Sequence, residues 1–328
     1  MAKEWQIFFE VKGIVAPKEG MKLRDSILLK CVRRPEDRKQ EESDDFCTVY
    51  LKVKSETTPS FEIFQKVLYD FQNFLFLYGL TSGRFCIVPG SFASKEITED
   101  DRFGEPLSDK FSWTVSYKPE KLREYISLLE KTQELYSNYE HIFKDDSMRY
   151  LRNAIIYFNR SLEDFNKSIF DEALIDLMIS LESLFGVGQE LQYRISLRAS
   201  TFLSGESPQK SEVFNTIKNL YDKRSKVVHG SDKVRLDLNE LFKLREYVRD
   251  TILFLLDIEI SKSELTSLLD KVILGDDKAK EQLGEFHKKC FNFVKKGKKV
   301  TGYIKKISKT NEAASIHMRF SYQAVFVD

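Results

Sequence analysis

The first third of the chain combines segments that have the two-residue spacing of strands with one segment that has helical spacing. Apolar side chains at 61, 64, 67, 68, 71, 74, 75 and 78 predict a helix that starts near Pro59-Ser60. Apolar and polar residues alternate from Trp5 to Val15, as in a half-buried strand. Further strands are predicted at 21–32, 46–53, 84–88 and 112–117, with charged loops at 34–45 and 96–105. Residues 1–118 are therefore predicted to form a mixed α/β domain.

The middle of the chain has a helical period almost throughout. Asp145-Asp146-Ser147 and Asp171 are predicted to cap two of its helices. Short connections with Gly and Ser favour antiparallel neighbours, so residues 119–296 are predicted to form an all-α bundle. Its helices are expected at 119–141, 148–166, 171–185, 190–203, 207–230 and 238–260, with shorter ones at 263–274 and 278–294.

The end of the chain, 297–328, alternates again on both sides of the polar turn Thr310-Asn311-Glu312, which predicts a C-terminal β-hairpin. The segment before and within this tail, from His287 to Lys309, contains nine Lys and no acidic residue, with three aromatic residues between the lysines. Such a pattern suits phosphate attraction and base stacking. A solvated face whose aromatic rings lie in the core gives the same pattern, and both interpretations stay open. The predicted fold class is α+β.

Composition and charge limit the classes of protein that fit these elements. The 328 residues carry 52 Lys and Arg against 51 Asp and Glu, a net charge of +1, so a nucleic-acid surface must be local. No segment has the roughly 18 apolar residues of a membrane span, and the N-terminus lacks the apolar core of a signal peptide. The four Cys are far apart, which argues against a zinc site or disulfides. We expect a soluble, cytoplasmic protein with no membrane partner and no cofactor.

The main chemical signal is Arg224, which precedes His229 by five positions on a helix that Gly230 is predicted to end. Histidine exchanges protons near neutral pH, and arginine stabilises charge on a phosphate, so the pair is the minimum equipment for RNA cleavage without a metal. Residues five apart on an ideal helix point about 140° apart, so His229 must leave the last turn to approach Arg224. A helix-capping role for His229 stays open, because a cation is favoured at a helix C-terminus.

Two opposite charges occupy apolar faces of two different predicted helices. Arg224 lies three residues after Tyr221 and three before Val227, and Glu182 lies four after Met178. A charge on an apolar face is costly unless it has a partner, so Arg224 needs an anion from the protein or from a ligand. One interpretation is an ion pair that fixes the register of the helices. The other is a site in which Glu182 orients Arg224.

Three segments carry a family likeness. EALIDLMISLESLFG (172–186), YRISLRASTFL (193–203) and FNTIKNLYDKRSKVVHG (214–230) are similar, in this order, to the Apea-like branch of the HEPN superfamily. The resemblance covers about residues 145–260. It implies a HEPN-type bundle, over 119–296, that dimerises so that two Arg-x4-His motifs face each other.

The resemblance also implies function. Active members are metal-independent endoribonucleases, many of them toxins or antiviral defence effectors, some under a cognate regulatory partner, while others are inactive scaffolds. The chain departs from the family at two positions: Ser231 replaces a Tyr that relatives use as a modification target, and Ser225 replaces Asn, Asp or His.

The site residues follow from the motif and the resemblance together. His229 is expected to act as general acid or base and Arg224 to stabilise the transition state, with Glu182 positioning Arg224. Ser225, Lys226 and Tyr221 are expected to contact the RNA, which would be cleaved to a 2′,3′-cyclic phosphate and a 5′-hydroxyl. The alternative is a non-catalytic dimerisation module whose N-terminal domain binds a partner or a small ligand.

Overall fold

The computed structural model describes residues 3–12, 14, 21–24, 27–30, 46–83, 93–97, 119–204, 209–230 and 235–288. The strands predicted at 84–88 and 112–117, the C-terminal hairpin and nearly all of the basic segment lie outside the described residues. The described part is mostly helical and carries a small antiparallel sheet, which confirms the broad α+β class. Its helices contain no stretch long and apolar enough to cross a membrane.

The sheet has the strand order β2-β3-β4-β1-β5 and every pair in it is antiparallel. β1 and β4 pair along their full length, and Ile7 and Leu51, which lie opposite each other, are both fully buried. The alternation that predicted these strands therefore marks the face that packs in the core. The strands are β1 (Lys3–Lys12), β2 (Met21–Arg24), β3 (Ile27–Lys30), β4 (Phe46–Ser55) and β5 (Ala93–Glu96).

Two predictions in this region are wrong. The segment 21–32 was predicted as one strand, but it contains two paired strands, with Met21 opposite Leu29. The polar residues 24–26 separate two short apolar runs, so the runs can cover the same core face only when they lie side by side. The predicted loop 96–105 is wrong at Glu96, which pairs with Trp5 at the edge of the sheet, while residues 98–105 lie outside the described residues.

Eight α-helices of the described chain carry bounds close to the predicted ones. The side-chain oxygen of Ser60 accepts from the Ile63 amide, which confirms the predicted start of the first helix. The helices are α1 (Phe61–Ser82), α2 (Pro119–Tyr139), α3 (Arg149–Asn166), α4 (Phe170–Phe185), α5 (Leu191–Ser204), α6 (Gln209–Val228), α7 (Leu238–Ile258) and α8 (Lys262–Ile273), and residues 277–288 are also helical.

The predicted capping role of Asp171 is wrong. Ser168 has a left-handed backbone (φ 60°), so the chain turns before Ile169, and the Ile169 carbonyl accepts from the Ala173 amide at 3.1 Å. Asp171 therefore lies inside the first turn of α4, where its negative charge still interacts favourably with the helix dipole. Asp145 does cap: its carboxylate accepts from the Ser147 amide at 2.8 Å, ahead of a short 3₁₀ turn that leads into α3.

α4 is the central helix of the bundle and carries the candidate carboxylate Glu182. It contacts α3, α5, α6, α7 and α8. Six of its large apolar residues are completely buried: Leu174, Leu177, Met178, Leu181, Leu184 and Phe185. A helix enclosed in this way holds its polar residues at fixed positions between its neighbours, and this fixes Glu182 beside α6.

The core runs without a break from the sheet through α1 into the bundle. α1 packs against α2 and α3, and the side-chain amide of Asn159 on α3 donates to the Phe76 carbonyl on α1 at 3.0 Å. The helix of the predicted N-terminal domain therefore shares its apolar face with the helices that follow residue 118.

Candidate functional site

Glu182 and Arg224 meet where α4 and α6 pack. Arg224 Nη2 lies 3.7 Å from Glu182 Oε1, and both side chains are 23% exposed. This distance allows an ion pair but is longer than a hydrogen bond. The two charges therefore compensate each other at half-buried positions, while the hydrogen-bond donors of the guanidinium are left for other partners.

Tyr221 completes the cluster with Glu182 and Arg224. Its hydroxyl donates to Glu182 Oε1 at 3.0 Å, and the Arg224 guanidinium carbon lies 5.8 Å from the centre of the Tyr221 ring. Burial, and then the charge of Glu182, raise the pKa of Tyr221 to about 12, so the phenol keeps the proton that it donates. Tyr221 thus holds the carboxylate that faces Arg224.

One donor of Arg224 is unsatisfied. The Nε atom is buried and has no hydrogen-bond partner within the described ranges. Leaving a buried donor unpaired costs about 1–3 kcal/mol, and charged groups cost more. Glu182, whose Oε1 lies 3.7 Å from Arg224 Nη2, therefore compensates the charge of Arg224 but leaves this donor without an acceptor.

His229 lies one residue beyond the end of α6 and is exposed. Its amide donates to the Ser225 carbonyl at 3.1 Å, and Gly230 takes a left-handed backbone (φ 65°) and donates to the Val227 carbonyl. The prediction that Gly230 ends this helix is confirmed. The motif is thus split between a half-buried Arg on the packed face and a His that faces solvent.

The structure brings together three of the six predicted site residues, and the other three lie in the last turn of α6 or just beyond it. Glu182, Tyr221 and Arg224 form the half-buried cluster. Ser225 is half-buried and Lys226 is exposed in the last turn of α6, and His229 follows them. The Tyr221 hydroxyl, for which a contact with RNA is predicted, donates to Glu182, because both residues lie on faces that pack together.

The residues that hold the C-terminal end of α4 are not among the predicted site residues. Arg198 on α5 is 3% exposed. Its Nη1 donates to the Phe185 carbonyl at 2.8 Å. Its Nε and Nη2 donate to the two carboxylate oxygens of Asp270 on α8, also at 2.8 Å. Lys262 Nζ lies 3.4 Å from the Glu182 carbonyl, and burial followed by Arg198 lowers its pKa. The available signal was Arg198 itself, a charge between the apolar positions Ile195 and Phe202.

An open groove of about 750 Å³ lies between the α4–α5 connection and α6. Gly188 (φ 77°) and Glu190 (φ 55°) have left-handed backbones, which turn the connection sharply into α5. The lining residues are Gly188, Gln189, Glu190, Leu191, Gln192, Tyr193 and Tyr221. Tyr221 is therefore shared between the groove and the cluster with Arg224.

A buried acid on α4 predicts how stability depends on pH. Asp176 is 4% exposed, its carboxylate lies 3.2 Å from Arg160 Nε, and burial outweighs Arg160 to raise its pKa from 3.8 to about 6. The folded protein binds a proton here that the unfolded chain releases. Between roughly pH 7 and pH 4, acidification therefore makes this group's contribution more favourable. The nearby acids Asp164 and Glu172 act in the same direction.

We expect the free energy of unfolding of Asp176→Asn to fall relative to that of the wild type as the pH is lowered from 8 to 5. Urea denaturation across this range measures the difference. Arg160→Gln serves as the opposite control, because losing the cation should enlarge the pH dependence. A difference between Asp176→Asn and wild type that is constant with pH would contradict the assignment.

Comparison with models of protein families, with curated proteins and with solved structures finds no match. Function is therefore argued from the residues and their geometry.

Proposed function

We propose that this protein is a metal-independent endoribonuclease of the HEPN type that acts as a homodimer. The observation that supports it most directly is Arg224, whose Nε has no acceptor in the described chain and whose contact with Glu182 is a loose 3.7 Å. The side chain is 23% exposed, so a phosphate oxygen can approach the guanidinium from solvent and gain a charge-assisted hydrogen bond. A purely structural ion pair would be expected to use its donors on the carboxylate.

The reaction needs one base and one acid. A neutral His229 takes the proton of the ribose 2′-hydroxyl, and the 2′-oxygen attacks the adjacent phosphorus. The bond to the 5′-oxygen breaks, and a protonated histidine supplies the proton to that oxygen. The products are a 2′,3′-cyclic phosphate and a 5′-hydroxyl. Arg224 stabilises the charge on the phosphate oxygens, and Glu182, held by Tyr221, sets the position of the guanidinium.

Each chain supplies one His229, so the acid and the base come from two copies related by a two-fold axis. The outer end of α6 suits an interface, because Val228 is 50% exposed beside His229. We expect light scattering at micromolar concentration to show a dimer. Its interface should form through the ends of α6 and α3 and bury about 1,600 Å² or more in total. A monomer that cleaves RNA would contradict the composite site, as would a dimer whose two His229 side chains lie far apart.

The deciding assay incubates purified protein with mixed RNAs in EDTA and identifies the ends of the products. Cleavage to cyclic-phosphate ends supports the proposal. No cleavage by the wild type favours the alternative, a dimerisation module without catalysis. If the protein cleaves RNA, the resemblance implies a toxin or an antiviral effector that a cognate partner regulates. Residues 1–118 would then act as a sensor or recognition domain.

A further inference from the structure

The groove beside α6 presents an aromatic ring to solvent. Tyr193 is 52% exposed, although most of its area is apolar. Its ring meets the Phe214 ring edge-on, with 5.8 Å between the centres, and this contact fixes its orientation. A tyrosine that is exposed but held in one orientation offers a flat surface at little entropic cost, which is the requirement for stacking a planar group.

The groove adjoins the cluster that holds Arg224. Tyr221 lines the groove, donates to Glu182, and lies 5.8 Å from the Arg224 guanidinium. A planar ligand on Tyr193 and the cation of Arg224 would therefore both lie next to Tyr221. A nucleotide has this arrangement, because its aromatic base and its anionic phosphate are joined by one sugar.

The polar groups of the groove suit the edge of a base rather than a phosphate. Glu190 contributes a carboxylate, which accepts hydrogen bonds from base N–H groups and repels an anion. The Gln192 amide nitrogen donates to the Lys218 carbonyl at 3.1 Å, so this side chain is held in one position at the wall.

We propose that this groove is a base-binding subsite for single-stranded RNA, in which Tyr193 stacks on the unpaired base next to the phosphate that Arg224 contacts. The inference rests on the proposed ribonuclease function for its ligand class. The groove would add a surface that selects the RNA base, separate from the Arg-x4-His motif and from the Arg224–Glu182 ion pair.

The test uses full-length His229→Ala protein, which binds RNA without cleaving it, and a short single-stranded RNA that carries one 2-aminopurine. Stacking of the probe base lowers its fluorescence. We expect Tyr193→Ala in this background to weaken binding by about tenfold and to abolish the fluorescence change. Tyr193→Phe should keep both signals, because the ring is retained and the variant preserves its contact with Phe214.

Leu274→Ala is the control, because Leu274 lies just beyond the end of α8, outside residues 1–118, and is 86% exposed. It should bind RNA as the parent does. Equal affinity of Tyr193→Ala and its parent, an equal loss with Leu274→Ala, or no RNA binding by the parent would each overturn the subsite. If RNA binding depends on Tyr193 but the wild type cleaves no RNA, the subsite holds and the nuclease proposal fails. If the protein cleaves RNA equally well with and without the Tyr193 side chain, the nuclease proposal holds and the subsite fails.

Discussion

Replacing His229 by alanine is expected to lower the rate of RNA cleavage by about 10²–10⁴-fold, the range for loss of a general acid or base. The side chain is exposed beyond the end of α6, so its removal leaves no cavity, and the fold should be unchanged. Initial rates on a fluorescent RNA in EDTA give the effect, and thermal unfolding of the same samples checks the fold.

His141→Ala is the control for this loss. His141 is also exposed, and it lies far from the motif along the chain. Its ring lies 3.2 Å from Glu259. It should cleave RNA at the wild-type rate. Arg224→Lys should be impaired although it keeps the charge, because lysine lacks the guanidinium fork. Equal rates for His229→Ala and wild type would show that the activity does not use the motif.

The largest effect on stability is expected from Asp270→Ala, about 3–5 kcal/mol of lost unfolding free energy. Asp270 accepts two hydrogen bonds from Arg198, whose side chain is only 4% exposed, so the substitution leaves a buried cation without its anion. The same guanidinium holds the Phe185 carbonyl at the end of α4. Urea denaturation measures the loss.

Glu212→Ala provides the contrast. Glu212 and Lys243 approach to 2.8 Å, as close as Asp270 and Arg198, but both side chains are more than half exposed. Breaking this pair should cost about 0–1 kcal/mol, because water solvates the remaining charge. If both substitutions cost the same, burial of Arg198 does not set the energy of its pair. Arg198→Met should cost less than Asp270→Ala, since it removes the buried charge.

The helices could be predicted from the sequence because their signals are local. Ser60 caps α1 and Gly230 ends α6, and each acts on backbone groups within four residues of itself. The apolar period of α4 also placed Glu182 on a face that packs, and the charge of Arg224 on α6 indicated its need for an anion. These inferences require only the geometry of one helix at a time.

The errors arose where the outcome depends on a neighbour. The segment 21–32 was predicted as one strand, but pairing of its two apolar runs along the sheet decides that it forms two strands, β2 and β3. The left-handed backbone of Ser168 shifts the start of α4 away from Asp171, and the aspartate alone gives no sign of this.

What the sequence determined by itself is the α+β class, the positions of the helices and the residue types that bear on RNA chemistry. The tertiary structure decided which of them meet. Arg198 and Asp270 are 72 positions apart, and Tyr221 and Glu182 are 39 apart, so only the packing of α4, α5, α6 and α8 sets their distances. The same packing leaves Tyr193 exposed in a groove and Arg224 Nε without an acceptor among the residues that the structure describes, because burial and hydrogen bonding are properties of surfaces that the chain forms only when it is folded.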